Sequence, residues 1–195
     1  MHTAVEKSIH KFFLERNGGI VNTSTDDRLK WMPYATVFLM DLFKVHTRSS
    51  WKKQVLIVGA TEAIRYLIAD NLKKLTDEHR PFPYTGHNSF PSGHTSSSFA
   101  GAEFLHKELR DSIPVLSCAG YLAATGAAFI RLRKNRHWLR DVIAGAAIGI
   151  ASAKLAYFIF NKVSKAKKPV KMYEVDPEDR VEIIQDVLEQ KEYEK

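Results

Sequence analysis

Apolar residues gather in five blocks along the middle of the chain, and short polar stretches separate them. The blocks are Ala35–Val45, Val55–Leu72, Ser92–Leu105, Ile113–Ile130 and Val142–Phe160. Their lengths suit helices, Ala, Leu, Ile and Gly dominate them, and no period-two alternation of apolar and polar residues is sustained. The pattern predicts an all-α helical bundle with about five core helices.

Polar segments flank the five blocks. Near the N-terminus, apolar residues within Ile9–Phe13 have the spacing of an amphipathic helix, and those within Val181–Leu188 predict another near the C-terminus. A lysine-rich linker precedes the second of these helices. We therefore predict an N-terminal amphipathic segment, a helical bundle, and a basic linker with an acidic amphipathic tail, over residues 1–32, 33–161 and 162–195.

The composition narrows the class of protein. The 195 residues are 45% hydrophobic and 26% charged, which excludes a disordered, collagen-like or low-complexity chain. Cys118 is the single cysteine, so an internal disulfide framework and a cysteine-rich zinc site are excluded. The net charge of +7 points to a polyanionic partner, and phosphates, nucleic acid and an anionic membrane surface all fit.

Two of the blocks approach the length of a membrane span. Ile113–Ile130 has 18 residues without a charge, and Val142–Phe160 is interrupted only by Lys154. The mean hydropathy of −0.25 argues against a chain made mostly of spans. Met1–Glu15 lacks the features of a secretory signal. Membrane helices and buried helices of a soluble bundle both remain open at this point.

Three clusters along the chain carry candidate chemistry. The first is Lys73, six residues, then Arg80-Pro81, which has little meaning alone because basic residues commonly end helices. The second is Pro91–His94 at the start of an apolar helix. Free amides there favour an anion, and Gly93 allows the backbone to approach a ligand closely.

The third cluster is Arg131, five residues, His137, three residues, Asp141. On a helix, His137 and Asp141 lie one turn apart on the same face. A carboxylate there can accept a proton from one imidazole nitrogen, which leaves the other nitrogen as a nucleophile. Asp141 could equally cap the helix that begins at Val142, and the two roles are compatible.

Taken together, the clusters favour phosphoryl transfer. Lys73, Arg80 and Arg131 could hold the oxygens of one phosphoryl group. His137 could then attack phosphorus in line while His94 protonates the leaving oxygen. Positioning and cationic stabilisation account for most of the catalysis of such a reaction.

The ordered clusters resemble the type 2 phosphatidic acid phosphatase superfamily, whose pattern is Lys-x6-Arg-Pro, Pro-Ser-Gly-His and Ser-Arg-x5-His-x3-Asp. The family includes lipid phosphate phosphatases, bacterial acid phosphatases and vanadium-dependent haloperoxidases. The residues that flank the motifs are similar to those of bacterial lipid A 1-phosphatase-like members. Ile130 stands where the family usually has Ser, which puts one supporting hydrogen bond in doubt.

The resemblance implies a helical bundle with its active site at one end of the core helices. It implies a covalent phosphohistidine on His137, oriented by Asp141, with His94 as general acid. It implies no metal and no other cofactor. The phosphate ligands that it implies are Lys73, Arg80, Ser92, Gly93 and Arg131.

The sequence thus predicts a metal-independent phosphatase acting on a phosphomonoester of a membrane lipid, with no nucleic-acid partner. A soluble acid phosphatase of broad specificity, a vanadate-dependent haloperoxidase and a non-catalytic lipid-phosphate binder remain alternatives. A zinc site matches no usual ligand spacing, although four histidines lie near the motifs. These are His79, His87, His94 and His137.

The order of the blocks also predicts an orientation. Alternating helices place the three motifs at one end of the bundle and many basic residues at the other. These basic residues are Arg48, Lys52, Lys53, Lys107, Arg110 and the lysines of Lys162–Lys171. Positive charge favours the cytoplasmic side, so we expect a membrane-associated protein with an extracytoplasmic active site, or alternatively a soluble periplasmic one.

Overall fold

The computed structural model describes residues 2–17 and 23–166, with side chains as far as residue 163. The chain divides into one unit over Met1–Asn161 and another over Lys162–Lys195. The described residues form helices and no strand, which confirms the all-α prediction. The helices are α1 (Ala4–Asn17), α2 (Thr25–Leu42), α3 (Trp51–Thr76), α4 (Gly93–Leu109), α5 (Pro114–Arg133) and α6 (Leu139–Ala166).

The five apolar blocks correspond to α2 through α6, and the N-terminal amphipathic segment contains α1. Helix α2 begins at Thr25, ten residues before the first block, and continues through Pro33. The boundary predicted between residues 32 and 33 therefore lies within a helix. The polar start of α2 is stable because acidic side chains in a first turn complement the helix dipole, and Asp26 is also ion-paired. The predicted C-terminal amphipathic helix lies outside the described residues.

Helix α4 runs through the centre of the bundle. Its Phe104, Leu105 and Leu109 are almost completely buried. Around them lie apolar side chains from α2, α3 and α6, and together they form the main hydrophobic cluster. The partners are Tyr34, Val37, Ile57, Ala156 and Tyr157. Burial on this scale favours folding through the removal of apolar surface from water or lipid headgroups.

Small residues allow α6 to pack closely on α4. A Cβ atom added to Gly149 would lie 2.1 Å from the backbone oxygen of Ser96, and one added to Gly145 would lie 2.6 Å from that of Ser92. Both contacts are with backbone, which cannot move aside without disturbing α4. The two glycines thus fix the start of α6 against the start of α4, where two of the three motifs lie.

The opposite end of the bundle is held by a buried polar network. Glu108 is 2% exposed, and its carboxylate accepts hydrogen bonds from the amide of Ser49 at 2.8 Å and the hydroxyl of Tyr157 at 2.6 Å. Lys53, near the start of α3, donates to Asn161 at 3.3 Å. These contacts join the beginning of α3 to the ends of α4 and α6, so alternate helices run in opposite directions.

Apolar side chains also cover much of the outer surface. On α5, Val115, Leu122 and Phe129 recur every seven residues and are 84%, 76% and 52% exposed, which makes an apolar stripe along the helix. Two helical segments, Pro114–Arg133 and Leu139–Val163, are long and apolar enough to cross a membrane by length and composition. An exposed stripe of this kind suits contact with lipid.

We predict that Gly149→Ala lowers the free energy of unfolding by about 1–3 kcal/mol, because the added methyl group overlaps the α4 backbone. The matched control is Gly59→Ala in α3, where an added Cβ meets no atom within 4 Å. It should be neutral or stabilising by about 0.5–1 kcal/mol. Thermal unfolding of the purified full-length variants measures both, and equal midpoints would contradict the close α4–α6 contact.

Candidate active site

Ser89, in the loop between α3 and α4, holds two of the predicted catalytic side chains. Its backbone oxygen lies 2.9 Å from Nδ1 of His137, and its hydroxyl donates to Oδ2 of Asp141 at 2.5 Å. A carbonyl oxygen can only accept, so Nδ1 carries the proton of the neutral imidazole. The lone pair of His137 is therefore on Nε2, which is the form that a nucleophile requires.

Asp141 is completely buried in the first turn of α6. Its Oδ2 accepts a hydrogen bond at 2.9 Å from the backbone amide of Trp138, the residue before the helix, as the third residue of a capping box does. The helix begins at Leu139, so the interpretation of Asp141 as the cap of a helix that begins at Val142 is wrong. The same oxygen lies 3.7 Å from Nδ1 of His137, farther away than the carbonyl of Ser89. Asp141 thus acts on His137 at short range through its charge and through Ser89, while the imidazole proton is donated to a backbone oxygen.

His137 is kept neutral by its surroundings. It is 4% exposed, and burial lowers its pKa to about 4, with the positive charges of Arg131 and Arg80 lowering it further and Asp141 opposing them. A histidine with this pKa is unprotonated throughout the physiological range. Its Nε2 is available for attack without the prior loss of a proton.

The two cations of the first motif are fixed by the loop that follows them. Lys73 donates to the backbone oxygens of Asn88 and Pro91 at 2.9 and 2.8 Å. Arg80 donates through Nε to the Asn88 side chain at 2.8 Å and through Nη1 to the backbone oxygen of Arg136 at 3.0 Å. Burial, with the neighbouring charge of Arg80, lowers the pKa of Lys73 to about 8. Such crowding of positive charge favours a bound anion.

Arg131, at the end of α5, is held by a buried carboxylate that the motifs do not contain. Asp26 is 1% exposed, and its two oxygens lie 2.8 Å from Nη1 of Arg131 and 2.6 Å from Nζ of Lys134. Within the described part of the chain, Nε of Arg131 is buried without a hydrogen-bond partner. The guanidinium is thus held through Nη1, while its Nε–H can donate to a phosphate oxygen.

The Pro-Ser-Gly-His motif forms the start of α4. The Ser92 hydroxyl caps the helix by accepting the amide of Thr95 at 3.4 Å, and the Ser92 amide donates to the backbone oxygen of Asp141 at 3.0 Å. These contacts favour a capping role for Ser92, and its role as a phosphate ligand stays a prediction. A Cβ added to Gly93 would meet no atom within 4 Å, so the backbone there is open to a ligand.

His94 lies beside a cavity of about 270 Å³ between α2, α3 and α4. Lys73 and Gly93 line the same cavity, together with Glu62 and Arg65, which form an ion pair at 2.5 Å. The imidazole of His94 is 33% exposed, and its Nε2 lies 2.8 Å from Oδ1 of Asp27. The cavity can receive the part of a substrate that is bonded to the phosphoryl group.

The predicted site residues converge on one end of the bundle. Arg131 is near enough to act electrostatically on His94, His137 and Lys73, and Asp141 acts on Lys73 and Arg80. Sequence reasoning missed four residues that support them: Asp26, Asp27, Asn88 and Ser89. The only signals in the sequence were the acidic pair at a helix start and two polar residues immediately before a motif.

A zinc site formed from the four histidines finds no support in the arrangement of side chains. His79 and His87 lie against each other, with ring centroids 3.7 Å apart, whereas His94 and His137 have the separate partners described above. In the part of the chain that the structure describes, no group of three or more His, Cys, Asp or Glu side chains could hold a metal ion.

Sequence comparison assigns the chain to a family. The profile of the PAP2 superfamily matches residues 54–165, so the chain belongs to that superfamily. It is 34% identical to a lipid A 1-phosphatase of Porphyromonas gingivalis over 142 residues, which are 72% of this chain and 32% of that protein. It is 35% identical to a probable lipid phosphate phosphatase 4 of Arabidopsis thaliana over 106 residues, 48% of this chain and 32% of that protein. The chain thus spans about a third of the length of these relatives.

Two solved structures share the fold. The crystal structure of Aquifex aeolicus LpxE matches with a TM-score of 0.56 and 19% identity, covering 76% of this chain and 93% of that one. A transmembrane PAP2-type phosphatidylglycerolphosphate phosphatase from Bacillus subtilis matches with a TM-score of 0.54 and 15% identity, covering 83% and 89%. At these identities the match concerns the helical architecture, and it agrees with the family that the sequence profile gives.

The lowered pKa of His137 predicts a dependence of stability on pH. Between pH about 6.5 and about 4, the unfolded chain binds a proton at His137 that the folded chain does not bind. The free energy of unfolding should therefore fall as the pH falls through this window. In His137→Gln the fall should be shallower, as measured by denaturant unfolding at a series of pH values. His46→Gln, at the opposite end of the bundle, is the matched control, and equal slopes in wild type and His137→Gln would contradict the prediction.

Proposed function

We propose that this protein is a phosphatase that hydrolyses a phosphomonoester of a membrane lipid through a covalent phosphohistidine on His137. The observation that carries the proposal is the hydrogen bond from Nδ1 of His137 to the backbone oxygen of Ser89, beside buried Asp141. This hydrogen bond holds the imidazole in the neutral form whose Nε2 carries the lone pair. In the proposed site, that nitrogen faces a phosphoryl group held by Lys73, Arg80 and Arg131. The names of the relatives, a lipid A 1-phosphatase and a lipid phosphate phosphatase, support a lipid phosphate as substrate.

In the first half of the reaction, Nε2 of His137 forms a bond to phosphorus while the bond from phosphorus to the leaving oxygen breaks. His94 transfers a proton to that oxygen, so the lipid leaves as an alcohol. In the second half, His94 removes a proton from water, whose oxygen bonds to phosphorus as the N–P bond breaks. Inorganic phosphate leaves, and both histidines return to their initial protonation states.

The fixed cations provide the electrostatic part of catalysis. Lys73, Arg80 and Arg131 surround the position of the three equatorial oxygens, and the backbone at Gly93 approaches them at the start of α4. Because loop and helix contacts already hold the cations, little reorganisation is needed when charge moves onto those oxygens. We infer that these side chains do the work that a metal ion does in other phosphatases, and that hydrolysis needs no metal.

The outer surface supports a membrane location. The exposed stripe on α5 and the apolar length of α6 fit two membrane-spanning helices, and the site lies at the end where α5 finishes and α6 begins. Basic residues such as Lys53 and Arg110 lie at the other end. The active end is basic too, over residues 131–140, but those charges have a separate task in phosphate binding. Since the remaining positive charge favours the cytoplasmic side, we infer that the active site is extracytoplasmic.

Phosphate release from a panel of lipid and soluble phosphates in detergent tests the activity. We predict that His137→Ala lowers kcat by roughly 1,000-fold or more on the best substrate, since the variant lacks the nitrogen that bonds to phosphorus in the proposed mechanism. Wild type quenched in alkali during turnover of radiolabelled substrate should retain covalent phosphate, and His137→Ala should retain none.

Cys118→Ala is the control variant for this assay, because Cys118 is exposed on α5 away from the site. Wild-type turnover by His137→Ala would overturn the phosphohistidine mechanism. Loss of activity in a chelator, restored only by a divalent cation, would overturn metal independence. Preference for soluble phosphates over every lipid would favour the acid phosphatase alternative.

The orientation predicts which residues a membrane-impermeant maleimide reaches. Thr85 and Asp111 are both exposed, the first beside the active site and the second at the opposite end. In a Cys118→Ala background, Thr85→Cys should be labelled in intact cells, and Asp111→Cys should be labelled only after permeabilisation. The reverse result would place the site on the cytoplasmic side, and labelling of both in intact cells would favour a soluble periplasmic protein.

A further inference from the structure

A second carboxylate–histidine pair lies at the active end of the bundle, outside the sequence motifs. Oδ1 of Asp27 is 2.8 Å from Nε2 of His94, although 66 residues separate the two in the chain. Asp27 lies in the first turn of α2, and His94 is the second residue of α4. The neighbouring Asp26 points to Arg131 instead, so adjacent carboxylates hold two different residues of the site.

The pairing is set by the packing of two helices. Tyr34 of α2 lies so close to α4 that a Cβ added to Gly101 would be 2.9 Å from its ring. The hydroxyl of Tyr34 donates to Glu62 of α3 at 2.8 Å, and Ser97 of α4 donates to the same oxygen at 3.0 Å. These contacts fix the middle of α2 against α4, and Tyr34 and Gly101 lie seven residues after Asp27 and His94, respectively. The packing of the two helices therefore places the short side chain of Asp27 beside the ring of His94.

We propose that Asp27 is a positioning residue for His94: its carboxylate accepts the Nε2 proton, fixes the plane of the ring and leaves Nδ1 to exchange a proton with the leaving oxygen. This inference rests on the general-acid role proposed above for His94. A carboxylate does the same for the imidazole of a catalytic triad, where it selects the tautomer and stabilises the imidazolium.

The charges around His94 explain what such a partner contributes. A general acid must carry its proton at the working pH, yet burial and the charge of Arg131 lower the pKa of His94. Lys30 lowers it as well, and the hydrogen bond and charge of Asp27 oppose all three effects. Further charged groups face the same cavity from α3, namely Glu62, Arg65, Asp70 and Lys73. Asp27 raises the pKa of His94 both through its hydrogen bond and through its charge.

The test compares Asp27→Asn, Asp27→Glu and His94→Ala on the best substrate of the detergent panel. Asp27→Asn keeps an oxygen acceptor but removes the charge, so we expect kcat to fall roughly 10- to 100-fold while KM changes less than about twofold. Activity that requires protonated His94 is lost as the pH rises through its pKa. The alkaline limb of the kcat profile should therefore move to lower pH in Asp27→Asn and return toward wild type in Asp27→Glu.

A double variant separates positioning from a merely structural role. In the His94→Ala background, Asp27→Asn should change kcat less than about twofold, because its effect passes through His94. Asp111→Asn is the matched control, an exposed carboxylate with one charged neighbour, Arg110, at the opposite end of the bundle. An unshifted alkaline limb, or equal losses from Asp27→Asn with and without His94, would overturn the proposal.

A readout without turnover distinguishes failure of this proposal from failure of the proposed function. The pKa of His94 can be measured by NMR on histidine-labelled chain, with the signal assigned from its loss in His94→Gln. We expect a lower pKa in Asp27→Asn than in wild type, and an equal or higher one would overturn the pairing. Full turnover by His94→Ala would instead overturn the general-acid role, whatever the titration shows.

Discussion

Asp141 is a fully buried carboxylate, and burying a charge is costly unless hydrogen bonds replace the lost water. The replacements come from Ser89 and from the backbone amide of Trp138, so the loop before α4 and the first turn of α6 both depend on this side chain. Because the backbone oxygen of Ser89 also accepts a hydrogen bond from Nδ1 of His137, the arrangement that solvates the carboxylate also orients the proposed nucleophile. The hydrogen bonds of Ser89 therefore both stabilise this end of the bundle and hold His137 in place.

The same end of the bundle gathers positive charge that acidic residues balance only in part. Asp26 lies between Arg131 and Lys134 and neutralises part of their charge, while Lys73 and Arg80 are held by neutral carbonyl and amide oxygens. Holding a cation with neutral acceptors fixes its position without cancelling its field. The site consequently remains attractive to a phosphate group, and the rigid contacts keep the cations in place before a substrate arrives.

The motifs could be predicted because each lies within or beside one helix, where spacing along the chain determines position in space. The helical class and the five core blocks followed from the absence of a period-two pattern, and the structure confirms them. The roles of Asn88, Ser89 and Asp26 could not be predicted, since each acts on a partner in a different segment of the chain. Asp26, for example, bonds to Arg131, which lies 105 positions later in the chain, and local patterns of residues do not indicate contacts between segments so far apart. The early start of α2 was missed because its first turns are polar.

The two histidines of the site differ in their partners, and that difference suits opposite tasks. His137 donates to a carbonyl oxygen, and its burial, with the charges of Arg131 and Arg80, lowers its pKa to about 4, so the ring stays neutral. His94 is a third exposed and has the carboxylate of Asp27 directly on its ring, which favours the protonated form. In the proposed mechanism, burial suits His137 to act as the neutral nucleophile, and the adjacent carboxylate of Asp27 suits His94 to act as the acid. The helix that carries Asp27 lies outside all three motifs, so the proposed roles of the two histidines depend on the packing of α2 as well as on the motifs.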